Sequence, residues 1–129
     1  MTAWLGLVVG GAFGAVLRYV VSVSVSRLVP ARFPFGTLSV NITGALLIGA
    51  LAGGLSGGLV ESGPDQLLWL ALGVGFCGSY TTMSSWSLDS LRLGLDGRPG
   101  LIVVNFLLTF AGCLLAVMLG FLGGSHLVG

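Results

Sequence analysis

Lysine is missing from this chain of 129 residues, and charged residues of every kind make up only 7% of it. A water-soluble domain carries roughly a quarter. With so few charges the chain cannot coat a globule in a water-compatible surface, so lipid must surround it. The five cations are all arginines (Arg18, Arg27, Arg32, Arg92 and Arg98), and the net charge of +1 leaves no footprint for nucleic acid. The two cysteines, Cys77 and Cys113, stand in apolar runs as small core residues and form no disulfide framework. Histidine occurs once, as His126 in the tail, and is read as solvated. The four acidic residues, Glu61, Asp65, Asp89 and Asp96, are read as lying in loops or at span ends. No paired carboxylates, metal-spaced cluster or nucleophile–base pair remains, which excludes enzyme chemistry. No basic segment precedes the first apolar run, so that run is expected to be a retained helix rather than a signal peptide.

Hydrophobic residues, in contrast, make up 55% of the chain, and glycine occurs 23 times. The mean hydropathy is +1.08. A helix needs about 20 apolar residues to cross roughly 30 Å of hydrocarbon. Four such runs predict transmembrane helices over about residues 3–25, 37–58, 66–90 and 100–123. They form a single all-α membrane domain over residues 1–129, with nothing left over for a soluble unit. The links are short: Arg27 to Pro34, Glu61 to Asp65, and Leu91 to Pro99. Neighbouring helices therefore run antiparallel. Gly6, Gly10 and Gly14 recur at four-residue spacing, as do Gly49, Gly53 and Gly57. Such spacing permits close backbone contact, within one subunit or between two.

The arginines separate by side. The first and third links must share one face of the membrane, and they hold Arg27, Arg32, Arg92 and Arg98. The other face, with the second link and both termini, has no Lys or Arg. Positive links stay cytoplasmic, which predicts both termini outside the cytoplasm. Arg18 is expected toward the cytoplasmic end of the first helix.

Polar residues inside the spans carry the functional information. Asn41 lies in the second span with Thr37 and Thr43 nearby; Thr81, Thr82, Ser84, Ser85 and Ser87 cluster in the third. Asn105 and Thr109 stand four apart in the fourth, on one helix face, and Cys113 continues that face. Taken together they form either a polar path or glue between helices. Residues 73–82, with Gly73, Gly75, Gly78, Thr81 and Thr82, are a poor helix former and predict an interruption at membrane depth. Freed carbonyls there bind cations and freed amides bind anions. The three glycines match a dinucleotide-binding fingerprint literally, but a membrane span precedes them where that motif requires a strand.

Three segments resemble the small CrcB/Fluc fluoride channel family. Residues 10–19 (GGAFGAVLRY) resemble its first-helix pattern, residues 35–44 (FGTLSVNITG) its second, and residues 75–86 (GFCGSYTTMSSW) its broken third helix. The resemblance, in order along nearly the whole chain, implies an antiparallel dimer of four-helix subunits with two fluoride pores. It implies a pore lined or flanked by Asn41, Thr37, Thr82, Met83, Ser84, Ser85, Trp86, Asn105 and Thr109, with Arg18 at an entrance. It also implies a sodium ion at the dimer centre, held by the backbone carbonyls of Gly78 and Thr81, that acts as a source of potential or as structural glue. Such a subunit would export cytoplasmic fluoride passively across the inner membrane of a prokaryote, reducing fluoride toxicity. The family pattern has phenylalanine where this chain has Met83 and Trp86, glycine at Ser79 and tyrosine at Asn105. The arginine bias also departs from members that insert both ways as homodimers. An antiparallel dimer of this chain therefore calls for an oppositely oriented paralogue, with a homodimer as the other arrangement.

Two other classes stand beside this one: a non-conducting structural partner of a heterodimeric channel, and a small proton-coupled multidrug exporter. The exporter needs a carboxylate within the membrane, and none precedes Glu61. The predicted orientation is checked with reporters fused to the C terminus. Alkaline phosphatase, which needs the exterior, is expected to be active there; a fluorescent cytoplasmic reporter at that end would refute it.

Overall fold

The structure, a computed structural model, describes residues 2–29, 32–55 and 64–128. Gly57 and Glu61, both named above, lie outside the described residues. The chain forms α1 (Thr2–Leu28), α2 (Phe35–Gly54), α3 (residues 64–80), α4 (Met83–Leu95) and α5 (Pro99–Val128). Together α3 and α4 make the third span, broken at Thr81 and Thr82. Four helical stretches are long and apolar enough to cross a membrane. The chain is a multi-pass all-α membrane protein. Spans three and four run about five residues further than expected at their C-terminal ends. Leu55 has already left helical geometry (φ −98°, ψ 50°), and the expected last residues of the second span lie outside the described residues.

Glycine sets how closely these helices approach. α2 and α5 share the most extensive contact. There a Cβ at Gly49 or Gly53 would run into the carbonyl of Val117 or Phe121, and a Cβ at Gly120 or Gly124 would run into that of Leu46 or Ala50. The relation is reciprocal, two glycines from each helix. α1 meets α3 in the same way: Gly10 and Gly14 seat the Ala71 and Phe76 carbonyls, and a Cβ at Gly75 would stand 2.6 Å from the Leu7 oxygen. The four-residue glycine spacing thus serves contacts within the subunit. Without a hydrophobic force between helices in lipid, close van der Waals packing of this kind holds them together.

The glycine-rich stretch does not itself interrupt the third span. Trp69–Cys77 winds in the wider π register, and Gly78–Tyr80 continues as α-helix. The link from α4 to α5 is tighter than the sequence suggests. Gly97 has φ 71°, its N–H donates to the Gly94 carbonyl (3.1 Å), and Arg98 N–H donates to that of Leu93 (2.9 Å). Paired bonds of this kind around a left-handed glycine terminate a helix. Pro99 then opens α5, a position where its missing N–H costs nothing.

Substitution at Gly49 tests the packing. Gly49→Leu would push side-chain atoms into the Val117 backbone and is expected to destabilise the subunit by about 1–3 kcal/mol or more. Gly123 has open space around it, so Gly123→Ala should stay within about 0.5 kcal/mol. Thermal unfolding in detergent distinguishes the two, and equal midpoints would contradict the packing account.

Candidate functional site

Two threonines in succession end α3. β-Branched side chains lose χ1 freedom in a helix and favour extended backbone. Thr81 adopts φ −79°, ψ 158°, and Thr82 φ −150°, ψ 124°. The hydroxyl and the N–H of Thr81 both donate to the Cys77 carbonyl, at 2.9 and 3.0 Å, and close the last turn of α3. Thr82 then caps α4: its Oγ1 accepts the Ser85 N–H at 3.2 Å. The Ser84 and Ser85 hydroxyls lie 3.2 and 3.1 Å from the same oxygen.

An extended residue cannot satisfy its own backbone. Asn41 of α2 does so for Thr82: Thr82 N–H donates to Asn41 Oδ1 at 2.8 Å, and Asn41 Nδ2 donates to Thr82 O at 3.1 Å. Both residues are buried. Asn41 retains one amide proton beyond this pair. Beside it a cavity of about 560 Å³ opens at the surface of the subunit, lined among others by Asn41, Gly78, Thr81, Thr82, Met83, Thr109 and Cys113. No charged side chain lines it. Gly78 is exposed on this face, and Met83 is 73% exposed.

A second, smaller cavity of about 230 Å³ carries the charges. Arg32, Arg92, Arg98, Asp89 and Asp96 line it, together with Ser26 and aromatic and apolar residues. Asp89 belongs to α4 rather than to a loop, and its carboxylate accepts the Thr37 hydroxyl at 2.5 Å. Arg92 stands 3.8 Å away from it and is largely exposed; such pairs contribute little. The sequence places Asp89 at the end of the third span, which here runs on to Leu95. The available signal was its spacing: seven residues after Thr82, two turns along the same helix face.

Of the remaining expected site residues, Thr109 lines the larger cavity, while Asn105, Trp86 and Arg18 line neither. Asn105 is 1% exposed and donates to Ser90 Oγ at 3.1 Å, while Ser90 in turn donates to the Trp86 carbonyl at 2.9 Å. Thr109 reaches Asn105 Oδ1 at 3.5 Å. Asn105 therefore ties α5 to α4, the partner being a serine that sequence reading had not singled out. The Trp86 ring tilts against Phe106 with centroids 6.0 Å apart, and its enclosed Nε1–H finds no acceptor among the described residues. Arg18 is half-buried on α1 and has no ion-pair partner among the described residues. His126 lies in α5 rather than in a free tail, and is exposed.

Known proteins resemble the chain along most of its length. Residues 5–121 match the family model described as CrcB-like protein, Camphor Resistance (CrcB). The fluoride-specific ion channel FluC 2 of Mycobacterium tuberculosis is 42% identical over 117 residues, which covers 91% of this chain and 86% of that protein. The fluoride-specific ion channel FluC of Pseudoalteromonas translucida is 41% identical over 114 residues, covering 88% and 92%. That of Photobacterium profundum is 39% identical over 117 residues, covering 88% and 90%.

The Thr37–Asp89 bond yields a stability prediction. Thr37→Val leaves a part-buried carboxylate without its donor and is expected to cost about 1–3 kcal/mol. Asp89→Asn keeps an acceptor for the hydroxyl and should cost less. Unfolding of both variants in detergent checks the order, and a neutral Thr37→Val would show the bond to be incidental.

Proposed function

From the premise that this chain belongs to the CrcB-like family, we propose that it is a subunit of a passive fluoride channel. Its relatives bear the name fluoride-specific ion channel. One observation on this chain carries the reading: uncharged donors converge at a break in a membrane-spanning helix, beside an open cavity without charge. Fluoride is small and strongly hydrated, so a selective path must replace its water with hydrogen-bond donors. The spare amide proton of Asn41 and the hydroxyls of Thr82 and Thr109 are of the right kind. Thr37, Ser84, Ser85 and Asn105 extend the same chemistry to either side, and Arg18 marks an entrance. A fixed positive charge on the path would trap the ion, whereas neutral donors release it.

Direction follows from the membrane potential. Each charge moves through about 2.3 kcal/mol per 100 mV, so an inside-negative membrane expels the anion without fuel. Hydrogen fluoride, a weak acid, crosses lipid and ionises inside, which creates the need for export. The reading places the protein in the inner membrane of a prokaryote with both termini outside.

The break also supports an antiparallel dimer. Irregular backbone at membrane depth is tolerated only when protein covers it or it lines a cavity. Here the break opens on one face of the subunit, at Gly78 and Met83, and a second subunit would close it. The arginine asymmetry favours a paralogue of reversed orientation over a second copy. That partner would supply the aromatic edge that Met83 lacks, while Trp86 retains one. A sodium ion fits the same face: the last-turn carbonyls of α3 form the negative end of a helix dipole, and Gly78 and Thr81 stand at the open cavity. Those two carbonyls would hold the ion, which would supply positive potential and join the subunits.

Fluoride efflux from liposomes tests the channel and its pairing together. Vesicles holding this chain with a four-span paralogue of reversed arginine placement are expected to release fluoride at least about tenfold faster than vesicles holding either alone. Full efflux from this chain alone would remove the case for a paralogue. Retention of fluoride by the pair would overturn the channel reading.

A further inference from the structure

We propose that Asn41 is a positioning residue that holds the third span broken, by presenting to Thr82 the pair of hydrogen bonds that a neighbouring strand would offer. An extended residue directs its N–H and C=O to the same side, and in an antiparallel ladder one residue of the next strand exchanges both bonds with it. Thr82 has that extended geometry, and the Asn41 side-chain amide takes the place of the absent strand, accepting at 2.8 Å and donating at 3.1 Å.

Three observations make the clamp specific. Asparagine is the shortest side chain that carries an acceptor and a donor on one planar group, so serine or threonine at position 41 could satisfy only half of Thr82. Both bonds of the clamp are buried, so losing either is costly. The Thr82 hydroxyl is already engaged in capping α4, leaving the backbone N–H and C=O to depend on another element. In consequence α2, not the third span itself, determines where α3 stops and α4 starts. The clamp also fixes the plane of the Asn41 amide, and with it the direction of the one remaining N–H. In this respect the inference rests on the channel reading, since that proton matters only if an anion passes it.

An acid-restored variant tests the idea. In Asn41→Asp the carboxylate still accepts from Thr82 N–H but sets a second oxygen against Thr82 O. Protonation replaces that repulsion with an O–H donor and rebuilds both bonds, yet offers no spare donor to an anion. Burial favours this neutral form. The titratable side chains lining the cavity are the Cys77 and Cys113 thiols, which ordinarily stay neutral between pH 5 and 7.5.

The full chain is prepared with ¹⁵N-labelled threonine, and the Thr82 amide resonance is followed in parallel with fluoride current in planar bilayers, which neutral hydrogen fluoride does not carry. At about pH 7.5, N41D is expected to shift the Thr82 resonance and to cut current by about tenfold or more, as for a buried group left unpaired. At about pH 5 the resonance should return to its wild-type position, while current recovers only in part for want of the spare donor. Should N41D fail to fold, amide exchange in the wild type serves instead, and a protected Thr82 N–H is expected.

A Thr82 resonance unchanged in N41D at neutral pH, or an unprotected amide in the wild type, would overturn the clamp. A resonance that returns in acid without current would support the clamp and assign the lost conduction to the spare N–H, which a protonated aspartate lacks. A wild-type chain that carries no fluoride, alone or with its paralogue, would count against the channel alone, while the Thr82 signal still decides the clamp.

Discussion

Lipid offers no hydrogen bonds, so a helix broken at membrane depth must find partners for every backbone group it frees. Thr82 finds both of its partners in Asn41. The rest of the site follows from that exchange. With Thr82 held extended, its hydroxyl is free to cap α4, and the hydroxyls of Ser84 and Ser85 gather around it. α4 starts afresh after the two extended residues, and the cavity opens beside Asn41 at this point. A continuous helix through residues 64–95 would bury the same carbonyls and amides in its own ladder, leaving nothing for an ion.

The clamp requires α2 to stand close to the break, and glycine provides this. Gly44 faces Thr81 and Tyr80, where a Cβ would meet the Thr81 methyl group. The Thr43 hydroxyl reaches Tyr80 Oη at 2.9 Å, one residue away on α2. Gly49 and Gly53 bring α5 against the same helix. α2 is therefore held by α5 on one side and holds the break on the other, so the positions of Thr109 and Cys113 at the cavity are set by the same close approach. Packing and function here share residues: the small side chains that let lipid-surrounded helices meet also put polar groups from three helices around one space.

The four spans, the interruption of the third and the polar residues near it were legible in the sequence because each rests on composition over many positions. The stretch 73–82 contains the break, which falls at its last two residues, Thr81 and Thr82. Gly73, Gly75 and Gly78 share that stretch with β-branched and hydroxyl residues, and helix propensities describe glycine in water, where an unfolded backbone has other partners. In lipid it has none, so glycine stays helical, and Gly75 serves close contact with α1. The β-branched pair Thr81–Thr82 leaves the helix because Asn41 offers Thr82 an alternative, a tertiary fact that no local pattern encodes. Asn105 shows the same limit. Its spacing to Thr109 correctly put them on one face, yet the partner that fixes its amide, Ser90, comes from another helix. Asp89 was passed over because charge near the end of an apolar run ordinarily means solvent, whereas its carboxylate turns to Thr37.

The division of charge between the two cavities bears on how an anion could move. The larger cavity has donors and no charge; the smaller has three arginines against two aspartates. An arginine cluster alone would attract an anion and retain it, since attraction in a partly dry site grows as the dielectric falls. Asp89 and Asp96 reduce that attraction. Asp89 is itself moderated by the Thr37 hydroxyl and Arg92. Three arginines stand here against two aspartates, and on the proposed reading that small positive excess would raise the local concentration of anions. Beyond it, the path has only neutral groups with which to replace water. On the proposed channel reading, collection by charge and passage by dipoles would fall to separate cavities.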